Sequence, residues 1–329
     1  MESKKGNERN YTFFKRSLTT QLCIVILIEE IKKTTKGDSN VLKKIVGFGL
    51  ITFVSMTLAA CGSNESSSDS AKNTSDTAWS EIEDRGTIKV ATSGTLYPSS
   101  FHEAETDKLT GYEVEIIREV ANRLDLEVDF TEMGVDGMLT SVNSGAIDIA
   151  AMGIDRNGEN ADKYNYTIPY KYSFGAMVVR ESDDSGIETL EDLKGKKAAG
   201  AATTSYMKVA RHFGAEEVIY DNATNDQYLQ DVANGRTDVI LNDYYSQKMA
   251  VAALPEIPVK VHDIFYNPSE TNYAIKKGND LLTDKVNTIL EEMKADGTLT
   301  ELSKQFYDGE DVSKQIDYDF PEIELEEGE

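Results

Sequence analysis

Two successive series of β-prone runs, each alternating with helix-period segments, constrain this chain more than any other feature. In the first, residues 87–92 read as a strand and residues 111–124 as a helix, with Val114, Ile117, Val120, Ala121 and Leu124 on one face. A strand over 126–130, a helix over 136–144 ended by Gly145, and a strand over 147–151 follow. The second series reads strand 196–201, helix 205–213, strand 218–220, helix 225–234, strand 238–241 and helix 244–253. Alternation of this kind predicts α/β units whose parallel sheets are covered on both faces. Two series predict two lobes.

The β-prone runs 173–180 and 271–276 bracket the second series and read as two hinge strands crossing between the lobes. Helices over 280–295 and 298–306 then close the first lobe. Lobe 1 is expected to comprise 81–178 and 272–312, and lobe 2 to comprise 179–271. Residues 313–329 form an acidic tail expected to fray.

The first 80 residues read as an address. Lys43 and Lys44 precede a short apolar stretch that ends in Leu58-Ala59-Ala60-Cys61. That stretch is shorter than the roughly 20 residues a membrane-spanning helix needs, and the pattern is that of a signal peptide. Leu58 to Cys61 resembles the lipobox of bacterial lipoproteins, which implies lipidation of Cys61. Residues 1–60 are thus an N-terminal extension plus signal peptide, and the Ser/Asn/Asp-rich residues 61–80 a flexible tether. The segment before Val41 fits a signal poorly, so translation is expected to start at Val41, the other reading being a genuine extension from Met1.

With 34 Lys+Arg against 58 Asp+Glu, the formal net charge is −24, which disfavours nucleic acids and anionic surfaces as partners. Only Cys23 and Cys61 are present, too few for a zinc cluster or a disulfide framework. No cofactor motif is found, and the three histidines, His102, His212 and His262, are scattered without a partner pattern.

Four motifs in order give a more specific signal. They are Lys108-Leu109-Thr110-Gly111-Tyr112-Glu113-Val114-Glu115, Asp136-Gly137-Met138-Leu139 with Ser144-Gly145, Leu190-Glu191-Asp192-Leu193-Lys194-Gly195-Lys196-Lys197, and Asp296-Gly297-Thr298-Leu299. Across residues 88–306 the chain resembles the bacterial extracellular solute-binding proteins of family 3, the polar amino acid receptors of ABC importers. The resemblance implies an α/β, two-lobed periplasmic-binding-protein-like (type II) fold with two hinge strands, closing on a small amino-acid-like ligand. It also implies a permease and its ATPase as partners, a monomeric receptor, and lipid anchoring on the outer face of the cell membrane.

Site residues follow from the resemblance. Asp243, just past a buried strand, takes the place of the carboxylate that meets a ligand ammonium; as plain structure it caps the next helix. Thr203 and Thr204 match a turn that holds a carboxylate at a helix start, where Thr204 also suits capping. Tyr97 matches an aromatic wall and Val135 the apolar wall opposite; both are also ordinary core residues.

The departure lies in Met152-Gly153-Ile154-Asp155-Arg156-Asn157-Gly158-Glu159-Asn160. Counting back from Pro169-Tyr170 puts Asn160 where the family has a carboxylate-binding arginine, and Asp155 where it has a hydroxyl residue. An amide replaces neither the charge nor the fork of a guanidinium. Three readings stay open: Arg156 reaches in; Asn160 and helix N–H groups suffice; or the ligand is cationic or lacks a carboxylate and meets Asp155 with Asp243. The chain reads as a receptor and not an enzyme, with a lyase or dehydratase on the same fold as the competing class and a surface sensor or adhesin as a third.

Overall fold

The computed structural model describes residues 72–325, apart from 157–161, 316, 319 and 321. The signal segment, Cys61 and Asn160 lie outside the described residues. Among the described residues, no helix is long and apolar enough to cross a membrane.

The first half opens with helix α1 (Lys72–Arg85) and strand β1 (Thr87–Thr92). A small sheet of β2 (Thr95–Leu96), β3 (Ser100–His102) and β4 (Leu109–Thr110) leads into α2 (Tyr112–Arg123). Next come β5 (Glu127–Glu132), α3 (Val135–Ser144), β6 (Ile149–Asp155) and β7 (Tyr164–Tyr166). Strand β8 (Lys171–Arg180) leaves this half. The second half holds β9 (Lys197–Gly200), α4 (Ser205–His212), β10 (Glu216–Ile219), α5 (Asn225–Ala233), β11 (Val239–Asp243), α6 (Tyr244–Ala253) and β12 (Val259–Val261). Strand β13 (Tyr266–Lys276) returns the chain, and α7 (Asp280–Ala295) and α8 (Thr298–Phe306) finish the first half.

Both halves use one topology. Strand β1 lies between β5 and β6, all parallel, and β9 lies between β10 and β11, all parallel. The two parallel sets join through the antiparallel pair β8 and β13, so a single sheet runs β10-β9-β11-β8-β13-β6-β1-β5. The expected two α/β lobes are present, and their sheets are continuous across the crossing strands.

Successive strand residues face opposite sides, and each half buries both. Val90 packs with Ile117 and Leu290, whereas its neighbour Ala91 packs with Met138 and Val142. In the second half Ala198 joins Val209 and Leu241, and Ala199 joins Leu229 and Ile240. Each fully buried Leu, Ile or Val contributes about 1.5–3 kcal/mol, which holds both halves rigid around the space between them.

Two segments depart from expectation. Helix α1 begins inside the stretch read as a tether, because Trp79 and Ile82 find apolar cover in the first-half core. The acidic tail does not fray over its described length. Ser313 is buried, Tyr318 and Phe320 set their rings 4.7 and 5.0 Å from Phe174, and Asn267 bonds the backbone of Ile323. Net acidity hides the apolar residues spaced along this tail, and they cover the aromatic flank of both crossing strands.

Candidate functional site

A cavity of about 120 Å³ lies between the halves. Its walls come from the carboxyl ends of the parallel strands: Ser93 after β1, Val135 after β5 and Gly153 in β6 on one side, Ala201 after β9, Asn222 after β10 and Asp243 ending β11 on the other. Where the first strand of such a series sits centrally, the connections on either side diverge, and a crevice opens there. The halves face each other through two such crevices.

Hydrogen bonds across the cleft show it closed. Asn222 accepts from Thr95 Oγ1 at 3.2 Å and donates to the Ser93 carbonyl at 3.0 Å. Asn225 donates to the Tyr97 carbonyl at 2.8 Å, and Thr203 Oγ1 donates to Asp136 Oδ1 at 2.6 Å.

Asp243 ends β11 and caps α6, its Oδ1 accepting the Ser246 backbone N–H at 2.8 Å. The same oxygen takes Lys171 Nζ at 2.9 Å, and Lys171 also donates to Ser246 Oγ at 3.1 Å. The capping reading therefore holds together with a second role: Asp243 is half of a buried ion pair. Its other oxygen, Oδ2, is buried with no hydrogen-bond partner among the described residues. A desolvated carboxylate oxygen left unpaired is costly, and a ligand donor would relieve that cost.

Lys171 opens β8 and is only 2% exposed. Burial pulls its pKa down, but Asp243, Tyr307 and Glu113 outweigh that and hold the ammonium above the ordinary lysine range, firmly protonated. The Tyr307 ring sits 5.3 Å from Nζ, within cation–π range. A second carboxylate, Glu113 near the start of α2, is 1% exposed and accepts the Gly153 N–H on both oxygens at 3.1 Å. Burial pushes its pKa up; Lys171 and the Gly153 N–H act against that shift.

The remaining expected residues divide. Tyr97, Val135, Gly153 and Thr204 line the cleft with Asp243. Thr204 caps α4 by accepting the Met207 N–H at 3.2 Å, and Tyr97 is fixed edge-on against Phe101 at 5.0 Å. Thr203 lies outside the cavity wall and bridges the halves through Asp136 instead, because its hydroxyl meets that carboxylate first. Arg156 sits exposed on a separate depression with Asp162, Tyr164 and Asp284, away from the cleft. Asp155 ends β6, its backbone in register with Thr271 of β13.

Sequence reasoning missed Lys171 and Glu113. A signal existed for Glu113: it shares the helix face of Ile116, Ile117 and Val120, so an acid stood on a buried stripe. Lys171 follows Pro169-Tyr170 at the edge of a β-prone run, where a lysine ordinarily marks solvent.

Comparison with known proteins agrees with this fold. Residues 88–309 match the family model for bacterial extracellular solute-binding proteins, family 3. The chain is 56% identical to the probable ABC transporter extracellular-binding protein YckB of Bacillus subtilis, over 86% of this chain and 98% of that protein. It is 38% identical to the L-cystine-binding protein TcyA of the same organism, over 78% and 94%. Among solved structures, that of YckB covers 75% of this chain and 99% of its own, with a TM-score of 0.59 at 59% identity. An ancestral arginine-binding protein bound to glutamine gives a TM-score of 0.63 at 30% identity, covering 68% and 98%. The chain belongs to the bacterial extracellular solute-binding proteins, family 3.

Proposed function

We propose that this solute-binding protein captures an amino acid between its halves and presents the closed form to an ABC importer. The observation that carries the reading is the buried, unpartnered Oδ2 of Asp243, in a residue that lines the cleft. An ammonium placed there gains a charge-assisted bond, worth roughly twice a neutral one. Relatives support an amino-acid ligand: TcyA is named for L-cystine, and a solved ancestral relative holds glutamine. L-Cystine is therefore the leading probe.

The reading extends to the parts of the chain around the cleft. Asp243, Thr204, Tyr97, Val135 and Gly153 contact the ligand, and Thr203 helps hold the closed state. The lobes divide at 178/179 and 271/272, the protein acts as a monomer, and Cys61 carries the lipid that holds it at the outer face of the membrane. It binds without chemical turnover, although a related ancestral amino-acid-binding protein of this fold is a precursor of cyclohexadienyl dehydratase.

Thermal-shift screening against the common amino acids and L-cystine tests the reading, because a ligand that prefers the folded form raises apparent stability. At 100 times its Kd a bound amino acid adds about 2.7 kcal/mol. A shift with at least one amino acid, recovered unchanged afterwards, is the expected result. No shift with any of them overturns the proposal.

A further inference from the structure

We infer that Lys171 is the cation that receives the ligand carboxylate, in place of the arginine the sequence lacks at Asn160. This rests on the amino-acid reading and goes beyond it by assigning the other pole of the ligand. Among the described residues that line the cleft, Lys171 alone carries a positive charge; Arg156 lies on a different surface.

The donor geometry is specific. An ammonium has three protons. Lys171 directs one to Asp243 Oδ1 and one to Ser246 Oγ, and no third acceptor is found within hydrogen-bond distance among the described residues. Asp243 mirrors this, with Oδ1 occupied and Oδ2 open. The pair thus presents one vacant donor beside one vacant acceptor, both buried. An amino acid presents the complement, an ammonium and a carboxylate on one carbon. Laid head to tail against the pair, the zwitterion satisfies both vacancies with charge-assisted bonds at buried groups.

Lys171 itself is the reason that a plain amine fits less well than the acid. Glu113 accepts the Gly153 N–H on both oxygens, and Lys171 makes its hydrogen bonds to Asp243 and Ser246. The cation stays beside Asp243, where it repels a second ammonium and attracts a carboxylate.

Calorimetric titration of wild type and Lys171→Met with three pairs, L-cystine and cystamine, L-arginine and agmatine, L-histidine and histamine, separates the possibilities. Wild type is expected to favour the amino acid in at least one pair. Lys171→Met is expected to weaken that amino acid about 10- to 100-fold, the range for losing a charged hydrogen bond, and to leave the matching amine unchanged or tighter. A lysine that merely balances buried charge would weaken both alike, and that result overturns the inference. So does an amino-acid affinity that the variant leaves intact. Wild type binding none of the amino acids overturns the amino-acid reading itself, and the inference with it. If Lys171→Met fails to fold by circular dichroism, Lys171→Gln, which keeps a donor toward Asp243, carries the same comparison with the same outcomes.

Discussion

The two halves share a topology but build their walls of the cleft differently. In the second half three helices begin at the cleft with a side-chain cap: Thr204 accepts from Met207, Thr224 from Gln227 and Asp243 from Ser246. In the first half α2 and α3 begin at glycines, Gly111 and Gly134, with no side-chain cap. Gly111 has a φ of 125°, and a Cβ there would meet the Ser99 carbonyl at 2.4 Å. At Gly134 a Cβ would fall 1.9 Å from Asp221 Oδ1, which belongs to the opposite half. The second half therefore offers side chains that cap a helix, two of which, Thr204 and Asp243, also line the cleft. The first half offers backbone that lets the halves approach, and places its chemistry in two buried charges, Glu113 and Lys171.

Removing Asp243 should break this arrangement most severely, since one residue is cap, ion-pair partner and the proposed ligand acceptor. Asp243→Ala leaves Lys171 buried without its carboxylate, a loss of about 3–5 kcal/mol for breaking a buried pair, with about 1 kcal/mol more for the cap. Calorimetry should show amino-acid affinity falling at least about 100-fold, and melting curves a lower Tm. An unchanged affinity would deny Asp243 any part in the site.

Gly134→Val tests the first half's contribution next. The added branches strike Asp221 and the Asn222 backbone only when the halves are together, so closure should suffer while each half stays folded. A roughly 10-fold weaker Kd, about 1.4 kcal/mol, with little change in the ligand-free melting temperature is expected. If stability falls and affinity does not, Gly134 matters to its own helix and not to closure.

The smallest effect belongs to Glu113 and is read in pH dependence. Its folded pKa is raised by burial above the ordinary glutamate value, so the folded state binds its proton more tightly than the unfolded chain. Its contribution to stability is complete below the ordinary value near 4.5 and is lost as pH rises through the raised one. Glu113→Gln should flatten the fall in stability over that window in denaturant titrations. A fall of equal size in the variant would place its origin elsewhere.

Much of the fold was legible in the sequence because its signals are local. The helices Tyr244–Ala253, Asp280–Ala295 and Thr298–Phe306 stand where their helix-period segments put them, since that signal lies within each segment. Strand β6 runs on to Asp155, beyond the apolar residues that announced it, because β13 supplies a ladder from the far end of the chain. Tail packing was illegible for the same reason: Tyr318 and Phe320 are apolar only in relation to Phe174 and Phe265. Within the site, Asp243 and Thr204 stand at strand-to-helix turns that any reader of the sequence meets. Lys171 becomes a site residue only when folding brings it to Asp243 and Ser246, and nothing in its own neighbourhood announces that.

A crystal structure of the protein grown with L-cystine, or with the amino acid giving the largest thermal shift, tests the central claim most directly. The account predicts the amino-acid nitrogen within hydrogen-bond distance of Asp243 Oδ2 and the carboxylate on Lys171 Nζ, between closed halves. A ligand bound outside this cleft, or one lying in it with its ammonium turned away from Asp243, would contradict the account.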